Sequence, residues 1–119
     1  MNTLEEIKKS KIVAVIRLDD YEKASRAFDA LADGGINCLE IAFNMPFAKR
    51  LLREKIAKYG DKFLIGAGTV TDEATAAAAK RAGAKFILTP AVDEGVIGYC
   101  VKESLPVIPG VMTPTEILT

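Results

Sequence analysis

One ionisable residue in this sequence stands where it must either do chemistry or be neutralised. Cys38-Leu39-Glu40-Ile41-Ala42-Phe43-Asn44 reads as a buried strand with a carboxylate at its centre. At a period of two, Leu39, Ile41 and Phe43 share one face, and Cys38, Glu40, Ala42 and Asn44 share the other. A carboxylate inside an apolar strand is costly unless it is paired or looks into a polar cavity. Glu40 is therefore either a core residue held by a neighbouring Lys or Arg, or a general acid/base aimed into a pocket, where burial lifts its pKa toward neutrality. Arg17 ends another apolar run. It could grip a carboxylate or phosphate bidentately, or pair with Glu40 or Asp19. Gly66-Ala67-Gly68-Thr69 lacks the third glycine of a dinucleotide fingerprint. It reads as a close backbone approach to a small ligand with the Thr69 hydroxyl available for a hydrogen bond, or simply as a glycine-rich turn into a helix.

Composition narrows the chemistry further. Acidic and basic residues balance at 16 each, which argues against a nucleic-acid or polyanion partner. The sequence has no histidine, which removes Ser-His and Cys-His nucleophile systems and most zinc sites. No metal and no cofactor are expected. Cys38 and Cys100 form no C-x-x-C pattern and read as reduced core cysteines of a cytoplasmic protein. The charged start, Met1 to Lys9, has no apolar h-region, and no apolar run approaches membrane-spanning length.

The elements that must position these residues alternate. Thr3 is expected to cap a short helix. Lys11 to Arg17 reads as a strand buried on both faces. Asp19 and Asp20 open a helix with an Ala24, Ala27, Phe28, Leu31 stripe, ended by Gly34-Gly35. After the Glu40 strand, Pro46 takes an N1-like position in a helix whose Leu51, Leu52 and Ile56 face inward and whose Lys49, Arg50, Arg53, Lys55 and Lys58 are mostly solvated. Phe63 to Val70 is a third strand. Asp72 starts an alanine-rich helix that stops at Gly83, and Lys85 to Pro90 is a fourth strand. Asp93 and Glu94 lead the next helix, and Pro106 to Met112 is a fifth strand. Thr113, Pro114 and Glu116 form a capping box for one more helix.

Repeated βα units imply a parallel α/β sheet, either open and doubly wound or part of a (β/α)8 barrel. A whole barrel needs at least about 200 residues. The expected architecture is about five of eight barrel strands, with residues 1–119 a single partial (β/α)8-barrel domain stopping before a sixth strand. Arg17, Asn44, Thr69, Thr89 and Thr113 gather at strand ends, where barrel chemistry concentrates. A receiver-domain reading of the open sheet finds Asp19-Asp20 but no acceptor aspartate, because strand three ends Gly68-Thr69.

The chain resembles the 2-keto-3-deoxy-6-phosphogluconate / 4-hydroxy-2-oxoglutarate aldolase family. The resemblance is carried by Ile12 to Arg17, Gly34-Gly35-Ile36 with Leu39-Glu40-Ile41, Ile65 to Val70, Thr89-Pro90, and Ile108 to Glu116, in that order. It implies a class I aldolase on a (β/α)8 barrel, a trimer, that cleaves a 2-keto-3-deoxy sugar acid to pyruvate and an aldehyde in carbohydrate breakdown. Glu40 matches the proton-shuttling glutamate and Thr69 the pyruvate-contacting threonine. Pro90 lines the same pocket, and Arg17 matches an arginine of some members. Asn44 stands where many members carry a carboxylate-gripping arginine, so Arg17 is expected to substitute. The family's Schiff-base lysine belongs to a Phe-Lys-[Phe/Leu]-Phe-Pro-like sixth-strand segment that this sequence does not contain. The expectation is a chain that carries the acid/base half of the site, is inactive alone, and associates with itself. The alternatives are a non-catalytic half-barrel or a small-molecule-binding βα sheet.

Overall fold

Side-chain caps set most of the helix starts in the computed structural model, which describes residues 2–119. The elements run α1 (Thr3–Ser10), β1 (Ala14–Ile16), α2 (Tyr21–Asp33), β2 (Cys38–Ala42), α3 (Ala48–Tyr59), β3 (Leu64–Gly68), α4 (Glu73–Arg81), β4 (Ile87–Thr89), α5 (Glu94–Lys102), β5 (Val107–Pro109) and α6 (Pro114–Leu118). Asp20, Asp72 and Asp93 accept backbone N–H groups in the first turns of α2, α4 and α5. Thr113 and Glu116 complete the expected capping box of α6. Two starts differ from the sequence reading. Asn2, not Thr3, caps α1, through a 2.9 Å bond from the Glu5 N–H. Pro46 precedes α3 rather than opening it, because residues 42–48 are spent on tight turns in which Met45 N–H reaches Ala42 and Ala48 N–H reaches Met45.

The five strands are all parallel and lie in chain order, β1-β2-β3-β4-β5. A doubly wound sheet reverses its strand order at a switch point. This one never does, so right-handed crossovers place the helices on one face. Leu39, Ile41, Ile65, Ala67 and Ile87 point into that face and are fully buried against residues such as Phe28, Leu51, Leu52, Ala79 and Val96. The opposite face carries Val15, Glu40 and Gly66 in one register row and Ala42 and Gly68 in the next. It corresponds to the lumen face of a barrel. β1 and β5 each pair on one side only, so the sheet stays open between them.

That openness corrects one expectation. The first strand is not buried on both faces: Val15 is 52% exposed and Ile12 56% exposed. Lys55 also departs from the reading as a solvated residue. It is 4% exposed, with its ammonium bonded to Ser25 Oγ at 2.9 Å and Asp29 Oδ1 at 2.8 Å between α2 and α3. Among the described residues no helix is long and apolar enough to cross a membrane.

Candidate active site

Three of the sequence-nominated residues meet at the carboxyl ends of β1, β2 and β3. Glu40 stands at the centre of β2, 5% exposed, with its side chain on the lumen face. The glycines of the neighbouring strand explain how it fits. A methyl group on Gly68 would lie 1.5 Å from the Glu40 Oε1, so the carboxylate rests directly on the bare Cα of Gly68. A methyl group on Gly66 would lie 2.6 Å from the Phe86 ring. The G-x-G is thus strand rather than turn, and the space it leaves is filled by the chain's own Glu40 and Phe86. That corrects the reading of the motif as a turn into a helix.

Thr69 follows in the left-handed region, with φ 54°. A β-branched residue there stores about 1–3 kcal/mol of backbone strain, a feature that clusters at functional sites. Its hydroxyl accepts a 2.7 Å hydrogen bond from an Arg17 guanidinium nitrogen. Arg17 is exposed, one residue beyond β1, and its charge acts on Glu40. Glu40 takes no hydrogen bond from the described residues, and the Arg17 charge is what acts on it. Burial pushes the Glu40 carboxyl above the ordinary carboxylate range, and the Arg17 charge pulls it part of the way back. Cys38, two residues earlier on the same face, is pushed up to about 11 by burial and then by the charges of Glu40 and Glu6, so its thiol is no nucleophile near neutral pH.

Among the described residues no side-chain hydrogen bond joins the other nominated residues to this trio. Asn44 is exposed in the turn after β2 and makes no side-chain hydrogen bond with the described residues. Pro90 is exposed just past β4, and its carbonyl abuts Gly110, where an added methyl would lie 2.5 Å away. Thr89 turns to the helix side and spends its hydroxyl on the Ala91 carbonyl at 2.5 Å. Thr113 is consumed by its capping box.

A cavity of about 780 Å³ lies at the other end of the sheet. Ser10, Asn37, Cys38, Lys62 and Lys85 line it beneath the amino ends of the strands. Among the described residues no three His, Cys, Asp or Glu side chains gather to hold a metal ion.

Sequence reasoning missed Met45 and Phe86. Met45 is buried, and its thioether accepts the Leu18 N–H at 3.3 Å. Phe86 packs on Gly66. A signal was available for Phe86, since a ringed side chain opposite a strand glycine often fills its gap. Nothing in the sequence marked the Met45 contact, which crosses between two loops.

This geometry can move a proton. A desolvated carboxylate with a raised pKa faces the open side, an arginine and a threonine hydroxyl stand beside it, and both can bind an acidic group. Comparison with known proteins agrees in kind. A family model described as KDPG and KHG aldolase matches residues 4–119. A 2-dehydro-3-deoxy-phosphogluconate aldolase of Treponema pallidum is 33% identical over 113 residues, covering 95% of this chain and 53% of that relative. A 2-dehydro-3-deoxy-6-phosphogalactonate aldolase of Escherichia coli is 34% identical over 111 residues, covering 93% and 54%. The solved KDPG aldolase of Legionella pneumophila, with pyruvate captured as a covalent carbinolamine, superposes with a TM-score of 0.82 at 32% identity, covering 89% of this chain and 51% of that one. The chain spans about half the length of the curated relatives it matches.

Proposed function

Because the chain belongs to the KDPG and KHG aldolase family, we propose that it supplies the proton-transfer half of a class I aldolase site. The reaction is cleavage of a 2-keto-3-deoxy sugar acid, 2-keto-3-deoxy-6-phosphogluconate or 4-hydroxy-2-oxoglutarate, to pyruvate and an aldehyde. Glu40 removes and returns the proton. Arg17 and Thr69 hold the pyruvate carboxylate, with Arg17 serving where Asn44 cannot. Pro90 and Asn44 border the pocket. The observation that carries this reading is the Glu40 carboxylate itself, 5% exposed, seated on Gly68 and unbonded beside the Arg17–Thr69 pair.

The reading also assigns what these residues do not do. Carbonyl activation needs an amine nucleophile. Lys85 lines the cavity at the far end of the strands and Lys55 is bound to Asp29, so neither is placed to meet a keto group above Glu40. On this reading the amine comes from outside these five βα units, and the chain alone is inactive. The open edges of β1 and β5, together with exposed Val15, Val111 and Met112, support self-association, a trimer by the family resemblance. A cytoplasmic setting suits the reduced, buried Cys38 and Cys100.

Titration of the isotope-labelled chain with pyruvate tests the reading directly. Amide signals of Arg17, Gly68 and Thr69 are expected to move, and Thr69→Ala to weaken the response. Borohydride with pyruvate should leave no covalent adduct by mass spectrometry. Silence at all three amides would defeat the carboxylate site, and a pyruvyl adduct on any lysine of this chain would defeat the division of labour.

A further inference from the structure

The Arg17 guanidinium is exposed and sits beyond the last ladder pair of β1, Ile16 with Ile41, so the sheet does not fix it. Among the described residues its one side-chain hydrogen-bond partner is the Thr69 hydroxyl. Something must hold the chain just after it, or the long side chain would sample many rotamers. The next residue is held in an unusual way. The Leu18 N–H, past the end of the ladder, is donated to Met45 Sδ at 3.3 Å. Sulfur is a weak acceptor, yet a backbone N–H left without a partner is costly, so even a weak acceptor at this point matters.

Met45 is well placed to act as an anchor. It is 7% exposed and lies in the turn that leaves the Glu40 strand, with its own N–H on Ala42 and its carbonyl accepting from Ala48. The strand that carries the acid/base thus also carries the hook for the arginine. A second contact between the same two loops lies farther out. Tyr21 meets Phe47 edge-on at 5.8 Å, and its hydroxyl donates to Glu54, with Arg50 above its ring. That clasp joins the helix starts and leaves Leu18 untouched.

We propose that Met45 is a positioning residue for Arg17: its thioether, by accepting the Leu18 N–H, holds the turn after β1 so that the guanidinium stays on Thr69 beside Glu40. The inference rests on the roles given to Arg17 and Glu40 above. It predicts that loosening Met45 changes the electrostatics at Glu40 and not merely stability. The groups facing Glu40 are few enough to make that readable. Val15 of β1 and Gly66 of β3 stand opposite it, Gly68 seats its carboxylate, Cys38 precedes it on the same face of β2, and Arg17, one residue beyond β1, is the one cation that acts on it among the described residues.

The test is the carboxyl-carbon NMR titration of Glu40 in the full chain, with Met45→Leu, Arg17→Leu and the double variant. Met45→Leu keeps the apolar volume and removes the acceptor. Arg17→Leu is expected to raise the Glu40 midpoint by about one pH unit, and Met45→Leu by about half of that. The double variant should match Arg17→Leu alone. A Met45→Leu midpoint equal to that of the parent chain overturns the proposal, whether or not Arg17→Leu moves it. Should Met45→Leu fail to fold, amide exchange in the parent chain decides. A Leu18 amide slowed by about tenfold or more against its random-coil rate supports the anchor, and an unslowed one overturns it. Since the readout is titration and not turnover, a chain that binds no pyruvate would defeat the proposed function while leaving this result intact.

Discussion

Two carboxylates in this molecule are drawn from water to different depths, Glu40 buried and Asp29 half-buried, and they are treated in opposite ways. Between α2 and α3, Asp29 takes hydrogen bonds at 2.8 Å from both Lys55 and Tyr59, with Lys58 3.6 Å from its other oxygen. On the lumen face, Glu40 takes none from the described residues and has the Arg17 charge nearby. The protonation consequences diverge. Burial pushes Asp29 up, but the bonds from Lys55 and Tyr59 and the charges of Lys55 and Lys58 outweigh it, so its pKa falls below the ordinary value. Burial dominates at Glu40, and its pKa rises. The first arrangement is what a fold does with a charge it must stabilise. The second is the arrangement that the acid/base role proposed for Glu40 requires.

The largest expected effect breaks the paired region. Lys55→Met removes the buried ammonium and leaves Asp29 with the Tyr59 hydroxyl and only the exposed Lys58 as a cation. A broken buried pair typically costs about 3–5 kcal/mol, and the partial exposure of Asp29 reduces this to about 2 kcal/mol in chemical denaturation. Replacing both, Lys55→Met with Asp29→Leu, should recover most of the loss, because the residual cost comes from the orphaned charge. If the double variant is as unstable as the single one, packing of the lysine stem against Phe28 carries the effect instead.

An effect of similar size sharpens the other side. Gly68→Ala puts a methyl where the Glu40 oxygen lies, so either the strand or the carboxylate must move. Overpacking of this kind costs about 1–3 kcal/mol. The same change in a Glu40→Ala background should be nearly neutral, since the occupied space is then empty. An equal cost in both backgrounds would mean that the strand, not the carboxylate, demands the glycine.

The contrast between these regions was only half legible in the sequence. Period-two alternation around Glu40 sufficed to put Leu39 and Ile41 in the core and Glu40 on the other face, because strand geometry leaves no freedom there. The alternating βα pattern likewise implied a parallel sheet, and the capping residues marked α2, α4, α5 and α6. Lys55 was hidden by its residue type. It falls on the same helical stripe as Leu51 and Leu52, which was the available signal, but its burial depends on Asp29, a partner 26 positions away. The exposure of Val15 was equally beyond local pattern, since it depends on whether a layer covers the far face of the sheet. Gly66 and Gly68 were legible as special and not as to purpose: which side chain fills a glycine's gap is set by strand register, which one strand's sequence does not contain.

The smallest effect is the most discriminating, because it assigns opposite signs to the two groups. Asp29 has a folded pKa below its unfolded value of about 3.9, so between those two values the unfolded chain binds more protons. Its contribution is present above the unfolded pKa and is lost as pH falls through the folded one. Glu40 has a folded pKa above its unfolded value of about 4.3, so between those values the folded chain binds more protons. Its contribution is present below the unfolded pKa and is lost as pH rises through the folded one. Stability measured by urea denaturation should therefore decline on the acid side in a way that Asp29→Asn suppresses. It should also decline above the ordinary carboxylate range in a way that Glu40→Gln suppresses. Glu40→Gln should leave the acid limb unchanged, and Asp29→Asn the other. If Glu40→Gln leaves the upper limb as it was, the carboxylate at the centre of β2 is better solvated than its seat on Gly68 implies, and its fitness as an acid/base falls with it.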